Sequence, residues 1–161
     1  MPKAGNSRFG RNRIEIPALL VALFVLVFDQ LSKFIIIKNL SLHQSIPLIK
    51  GVFHLTLVHN RGAAFGILKN QIPLFIFTSL VAIILIYFNY KQTKKKQSFV
   101  YNLSLSLILA GAIGNLIDRL FLGYVVDFLD FRIWPVFNIA DSSITVGAFL
   151  LAYLMLRQKP N

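Results

Sequence analysis

Residues 16–28 read Ile-Pro-Ala-Leu-Leu-Val-Ala-Leu-Phe-Val-Leu-Val-Phe, with no polar side chain among them. The apolar pattern continues past Asp29 and Lys33 as far as Ile37. A helix rising ~1.5 Å per residue needs about 18–22 such residues to cross ~30 Å of hydrocarbon. This stretch is long enough. Four basic residues, Lys3, Arg8, Arg11 and Arg13, precede it, which is also the layout of a cleaved signal peptide. A signal peptide would continue into a small-residue cleavage site, whereas here Asp29-Gln-Leu-Ser-Lys33 follows. The segment therefore reads as a retained membrane helix. Three further blocks match it: Ile72 to Tyr90, Phe99 to Ile117 with a continuation through Leu120, and Ile139 to Leu156. The expected fold is an all-α membrane protein with four transmembrane helices, at about 14–37, 72–90, 99–121 and 139–157.

Composition points the same way. Of 161 residues, 56% are hydrophobic and 14% charged, and the mean hydropathy is +0.67. A soluble domain carries about 45–50% apolar and roughly 25% charged residues, so an ordinary water-soluble globule is excluded. The length allows one domain, an integral membrane unit over residues 1–161. There is no cysteine, which excludes disulfides, thiol nucleophiles and cysteine metal sites. The three histidines, His43, His54 and His59, include no pair at i,i+4, so a helical zinc motif is absent. No metal and no cofactor is expected.

Seventeen Lys and Arg against six acids give a net charge of +11. These charges punctuate the hydrophobic blocks and form no groove-sized patch, so they read as topology signals and lipid contacts, not as a nucleic-acid surface. Lys3, Arg8, Arg11, Arg13, Lys91, Lys94, Lys95, Lys96, Arg157 and Lys159 would share one side, ten of the 17. The positive-inside rule then puts both termini, including the tail at 1–13, in the cytoplasm. Outer loops at 38–71 and 122–138 face out. The first twelve or so residues look disordered.

The first outer loop has its own order. Val52 to Val58 alternates, with Phe53, Leu55 and Leu57 against His54 and Thr56, between Gly51 and Asn60-Arg61-Gly62. A small extracytoplasmic strand region at the membrane surface is expected there. In the third helix, Ala110, Gly111, Ala112 and Gly114 are small enough for close helix contact.

The acids carry the functional signal. Glu15 sits at the cytoplasmic entrance, while Asp29, Asp118, Asp127, Asp130 and Asp141 all fall at or beyond the outer ends of helices one, three and four. Ionisable groups in a bilayer cost ~2.5–3.5 kcal/mol on insertion scales and are functional by default. Asp29 and Lys33, spaced i,i+4, read as a self-contained structural ion pair. Asp118 and Arg119 face different ways, and Arg119 can reach a carboxylate or polar group of another helix. Asp130 falls in a loop and is expected to be solvated. Asp127 and Asp141 differ, because neither has a basic residue at i±3 or i±4 and both have apolar neighbours. Two carboxylates held close in an apolar pocket share a proton, so one activates water while the other acts as acid. Asn115 stands three residues before Asp118, and Asn138 three before Asp141, where amides can orient a carboxylate, bind a carbonyl or cap a helix.

Four segments carry a family resemblance: Asp29-Gln-Leu-Ser-Lys33; Asn60-Arg-Gly-Ala-Ala-Phe-Gly66; Gly111-Ala-Ile-Gly-Asn-Leu-Ile-Asp-Arg119 with Gly123-Tyr-Val-Val-Asp-Phe128; and Pro135-Val-Phe-Asn-Ile-Ala-Asp-Ser142. In that order they resemble the lipoprotein signal peptidases, bacterial membrane aspartic peptidases also called type II. The resemblance implies four helices and an extracytoplasmic cradle of short strands. It implies cleavage of a prolipoprotein just before the cysteine that carries diacylglyceryl. It places the catalytic pair at Asp127 and Asp141, and substrate-binding or dyad-supporting roles at Asn60, Gly62, Asn115, Arg119 and Asn138. Asp29, Lys33 and Asp118 take structural roles. One departure is the 13 residues between the two aspartates, a short spacing that trims the third loop.

The leading reading is thus a monomeric aspartic endopeptidase of the bacterial inner membrane, with its site on the outer face. Its partners would be the lipid-modified precursor and phospholipids, whose phosphates Lys38, Arg61 and Arg119 can hold, while the strands clamp an extended peptide. A channel or transporter would place acids at several depths, including the midplane, where there are none. A non-catalytic lipid-binding or assembly protein would be indifferent to Asp127→Asn and Asp141→Asn.

Overall fold

The computed structural model describes residues 16–62, 68, 70–92 and 98–157. The tail expected to be disordered, and the basic residues at 3–13, 94–96 and 159, lie outside the described residues. Four helices, α1 (Ile16–Asn39), α2 (Ile72–Gln92), α3 (Phe99–Phe121) and α4 (Ile139–Arg157), accompany three strands, β1 (Ser45–Ile49), β2 (Phe53–Asn60) and β3 (Val125–Asp130). Each helix is long and apolar enough to cross a membrane.

The helices are inside out relative to a soluble bundle. On α1 the buried residues are Ala18, Ala22, Asp29, Lys33 and Ile36, one stripe at helical spacing. Leu20, Leu23, Phe24, Phe28, Leu31 and Phe34 point outward and are more than half exposed. Small and charged groups inside with large apolar ones outside is the arrangement that lipid rewards and water does not. Helix α3 is the centre, packing against the other three. Its buried face holds Asn102, Ser104, Ser106, Asn115 and Asp118.

Glycines set the spacing of this centre. A Cβ on Gly111 would collide with the carbonyl of Ala140 and the hydroxyl of Ser143, so α3 and α4 touch backbone to backbone there. Gly147 repeats this one level lower, where a Cβ would sit 2.7 Å from the Ser104 carbonyl. Gly114 leaves room for the Asp29 carboxylate, 2.7 Å from where a Cβ would be. These contacts bring the C-terminal halves of α1 and α3 and the start of α4 together.

The strands form one antiparallel sheet in the order β1-β2-β3. The strand expected from Val52–Val58 is β2, and β1 pairs with it from within the same loop. The third strand comes from elsewhere, out of the stretch 122–138 read as loop. Val125-Val126-Asp127-Phe128-Leu129 does not alternate, so no local pattern marks it. It becomes a strand by pairing with β2, as in His59 opposite Val126 and Asn60 opposite Val125. Val126 and Phe128 pack with Leu57 on Ile36 and Leu40 at the C-terminal end of α1. Asp127 lies between them in sequence and belongs to the opposite face.

The link from β3 to α4 is closed by the backbone. Phe137 donates its N–H to the Leu129 carbonyl at 3.1 Å and accepts from Leu129 N–H at 2.8 Å. The Phe131 and Phe137 rings stack with centroids 5.9 Å apart. The short spacing between the two aspartates is therefore a compact closed loop, and it returns the chain to the foot of β3.

Candidate active site

Helix α4 starts with a reciprocal cap. Asn138 Oδ1 accepts the Asp141 N–H at 2.8 Å, and the Asn138 N–H donates to Asp141 Oδ2 at 3.4 Å. This fixes the Asp141 carboxylate in the first helical turn. The amide of Asn138, with no exposed surface, donates to Asp127 Oδ1 at 2.7 Å. Asn60, at the end of β2, donates to Asp127 Oδ2 at 2.9 Å while its own Oδ1 accepts the Gly62 N–H. Asn115 of α3 donates to Asp141 Oδ1 at 2.7 Å. Both aspartates line one pocket of about 280 Å³, together with Asn60, Gly62 and Arg119. The rest of the wall is largely apolar, from Trp134 to Phe137 and Ile144.

Asp127 is only 1% exposed. Burial first, and then the charge of Asp141, push its carboxyl well above the usual carboxylate range; the bonds from Asn60 and Asn138 offset this only in part. A carboxyl whose proton affinity is raised beside a second carboxylate can serve as half of an acid–base pair. Arg119 lies over the Phe75 ring of α2 at 5.0 Å, and its Nη1 donates to the Asn115 carbonyl at 3.4 Å. Its guanidinium is thus held at the pocket wall. All seven residues singled out for the site, Asn60, Gly62, Asn115, Arg119, Asp127, Asn138 and Asp141, meet here.

Two expectations are corrected. Asp29 and Lys33 are not a self-contained pair. Lys33 Nζ is 2.8 Å from Asp29 and 2.9 Å from Asp118, and it donates to Asn115 Oδ1 at 3.1 Å. An ammonium with three donors in a dry interior recruits as many acceptors as the neighbouring helix offers. Asp130 is not solvated. It ends β3, is 5% exposed, and accepts from Thr56 at 2.7 Å and from the side chain of Arg132 at 2.9 Å. Partial burial works against its charge, but these bonds and the Arg132 charge prevail and hold its carboxyl below the usual range. The stretch looked like loop because its partner strand lies some seventy residues upstream.

Residue reasoning also missed Gln30, whose amide donates to Asp29, to the Gly114 carbonyl and to Asp118 at 3.1–3.2 Å. An amide between two charges in an otherwise apolar helix was the available signal.

A sequence model of the family described as signal peptidase (SPase) II matches residues 21–157. The chain belongs to the signal peptidase II family. It is 50% identical over 140 residues to the lipoprotein signal peptidase of Halothermothrix orenii, covering 87% of this chain and 95% of that one. The lipoprotein signal peptidase of Caldanaerobacter subterraneus is 52% identical over 141 residues, covering 86% and 95%. Two solved structures, each described as a bacterial membrane enzyme studied by the in meso method, superpose with TM-scores of 0.82 and 0.80. They are 33% and 35% identical, and the matches cover 90% and 89% of this chain and 93% and 94% of those. Membership in the signal peptidase II family makes this a multi-pass membrane protein and an aspartic-type endopeptidase that removes signal peptides.

Proposed function

We propose that the chain cleaves the signal peptide from diacylglyceryl-modified prolipoproteins, just before the lipidated cysteine, using Asp127 and Asp141 as its catalytic pair. The observation that carries this is the shared pocket, in which each carboxylate is aimed by a different asparagine. In this scheme the pair holds one proton. The ionised carboxylate takes a proton from water as the oxygen attacks the scissile carbonyl, and the protonated one donates to the carbonyl oxygen. The high affinity of Asp127 for a proton suits it to the second task in the resting state. Collapse of the tetrahedral intermediate expels the new amine, which receives a proton from the pair.

Asn60, Gly62 and Arg119 bind substrate at the pocket wall, and Asn115 and Asn138 support the pair. In this reading the chain works as a monomer. It sits in the bacterial cytoplasmic membrane with the tail 1–13 inside and the loops 38–71 and 122–138 outside, which puts the pair at the outer face. Acyl chains hold the precursor at that depth, each buried CH₂ adding ~0.8 kcal/mol. Lys38, Arg61 and Arg119 meet phospholipid phosphates.

Incubating the purified chain with lipid-modified and unmodified precursors tests this. Release of signal peptide is expected from the lipidated form alone, and none by Asp127→Asn. Equal cleavage of both precursors would overturn the substrate assignment. Full activity of Asp127→Asn would overturn the catalytic one.

A further inference from the structure

We propose that Lys33, on a helix that contributes nothing to the pocket wall, is a positioning residue that sets both catalytic carboxylates at once. This rests on Asp127 and Asp141 being the catalytic pair. Lys33 is 2% exposed and reaches three groups, each of which leads to the pair. Through Asn115 it controls an amide. Asn115 Oδ1 accepts from Lys33 Nζ at 3.1 Å and from Asn138 Nδ2 at 3.1 Å, which leaves Asn115 Nδ2 to face Asp141 at 2.7 Å. Turned over, the amide would set its NH₂ against an ammonium and its oxygen against a carboxylate, so the cation locks one orientation.

Through its two ion-pair partners Lys33 holds backbone. Asp29 Oδ1 accepts the N–H of Ala140 at 2.8 Å, and Ala140 directly precedes Asp141. Asp118 Oδ2 accepts the N–H of Val126 at 3.0 Å, and Val126 directly precedes Asp127. One carboxylate thus pins the start of α4, and the other pins β3. The same ammonium sets the spacing between them, 2.8 Å from one and 2.9 Å from the other. A self-contained structural pair would need none of these three outward bonds. Lys33 is the point where the positions of the two aspartates, which sit on different elements, are made dependent on each other.

The test is a double-mutant cycle on the full chain in detergent with a lipidated precursor, using Lys33→Met, Asn115→Ala and both together. Folded fraction is read by thermal melting in each sample. For folded Lys33→Met, kcat is expected to fall about tenfold or more with KM changed less than about threefold. The double variant should lose less than the sum of the two single losses, because the route through Asn115 has been cut twice. The acidic limb of the kcat profile should also move to higher pH, since loss of a nearby positive charge disfavours the ionised carboxylate. The other charged groups about the pair are Asp29 on α1 and Asp118 and Arg119 on α3. If Lys33→Met alone does not fold, the comparison is made in the Asp118→Asn background, which removes one buried carboxylate with the ammonium. A smaller but distinct fall in kcat relative to Asp118→Asn alone is expected there, through the Asn115 and Asp29 routes that remain. Additive losses, an unmoved pH profile, or a loss that only tracks the folded fraction would overturn the proposal. Asp127→Asn and Asp141→Asn run beside these: if they are dead while folded Lys33→Met keeps full kcat, only the role of Lys33 fails. If either aspartate variant is active, the catalytic assignment itself fails.

Discussion

At the scale of single residues, the pair differs from its neighbours in what its charge is for. Asp29 and Asp118 are matched to an ammonium, and Asp130 to Thr56 and Arg132, whereas Asp127 and Asp141 meet neutral amides and each other. Amides orient a carboxylate and offset its raised proton affinity only in part, so a proton can come and go. Replacing Asp127 or Asp141 by Asn should lower kcat by about 10²–10⁴-fold or more, with folding intact by thermal melting. The rate should follow a bell in pH. It falls on the acid side as both carboxyls protonate, and on the alkaline side as the shared proton leaves, with the raised affinity of Asp127 placing that loss well above the usual carboxylate range. Asp130 works in the opposite sense. Its carboxyl is held below its unfolded value, so its contribution to stability is present above that value and disappears as pH falls through the folded one. Denaturant melts of Thr56→Val should show a loss of about 1–2 kcal/mol at neutral pH that shrinks toward pH 3.

At the scale of elements, the site depends on helices that approach more closely than ordinary side chains permit. A Cβ on Gly147 would lie 2.7 Å from the Ser104 carbonyl and 3.1 Å from the Ile108 backbone nitrogen, against backbone that cannot swing away. Gly147→Ala should therefore cost about 1–3 kcal/mol in thermal or chemical melts and reduce activity through displacement of α4. Gly51 and Gly123 make a contrast. Both have positive φ, and a Cβ on either would meet nothing, so Ala there costs only backbone strain. Gly123→Ala should lower stability by about 1 kcal/mol and leave kcat nearly unchanged. Equal damage from Gly123→Ala and Gly147→Ala would mean that the packing of α3 on α4 is not what holds the site. The closed turn between β3 and α4 is a second device, because its backbone bonds between Leu129 and Phe137 are what make a short loop sufficient.

At the scale of the whole molecule, the orientation in the membrane decides which substrates reach the pair. A reporter fused after Asn161 that is active only outside the cytoplasm should stay silent. Activity there would place the aspartates on the wrong side. Sequence alone determined the four spans, because hydrocarbon leaves no choice about where long apolar blocks go. It determined the candidates too, since five acids gathered at one depth in so apolar a chain, and two of them without basic neighbours, stand out residue by residue. The β2 strand was legible from its alternation. What only the tertiary structure decided is everything that depends on contacts far apart in the chain. The strand carrying Asp127 has no local pattern and exists through pairing with β2. The local sequence of Asp130 points to a solvated loop, but the residue is buried and bonded to a threonine 74 positions away. Lys33 looked complete with a partner four residues off, while its bonds to Asn115 and Asp118 span more than eighty residues. Hydropathy and spacing register what a residue prefers locally. A buried charge takes its partners from whichever elements the packing of glycines against backbone brings within reach, and no pattern along the chain encodes that.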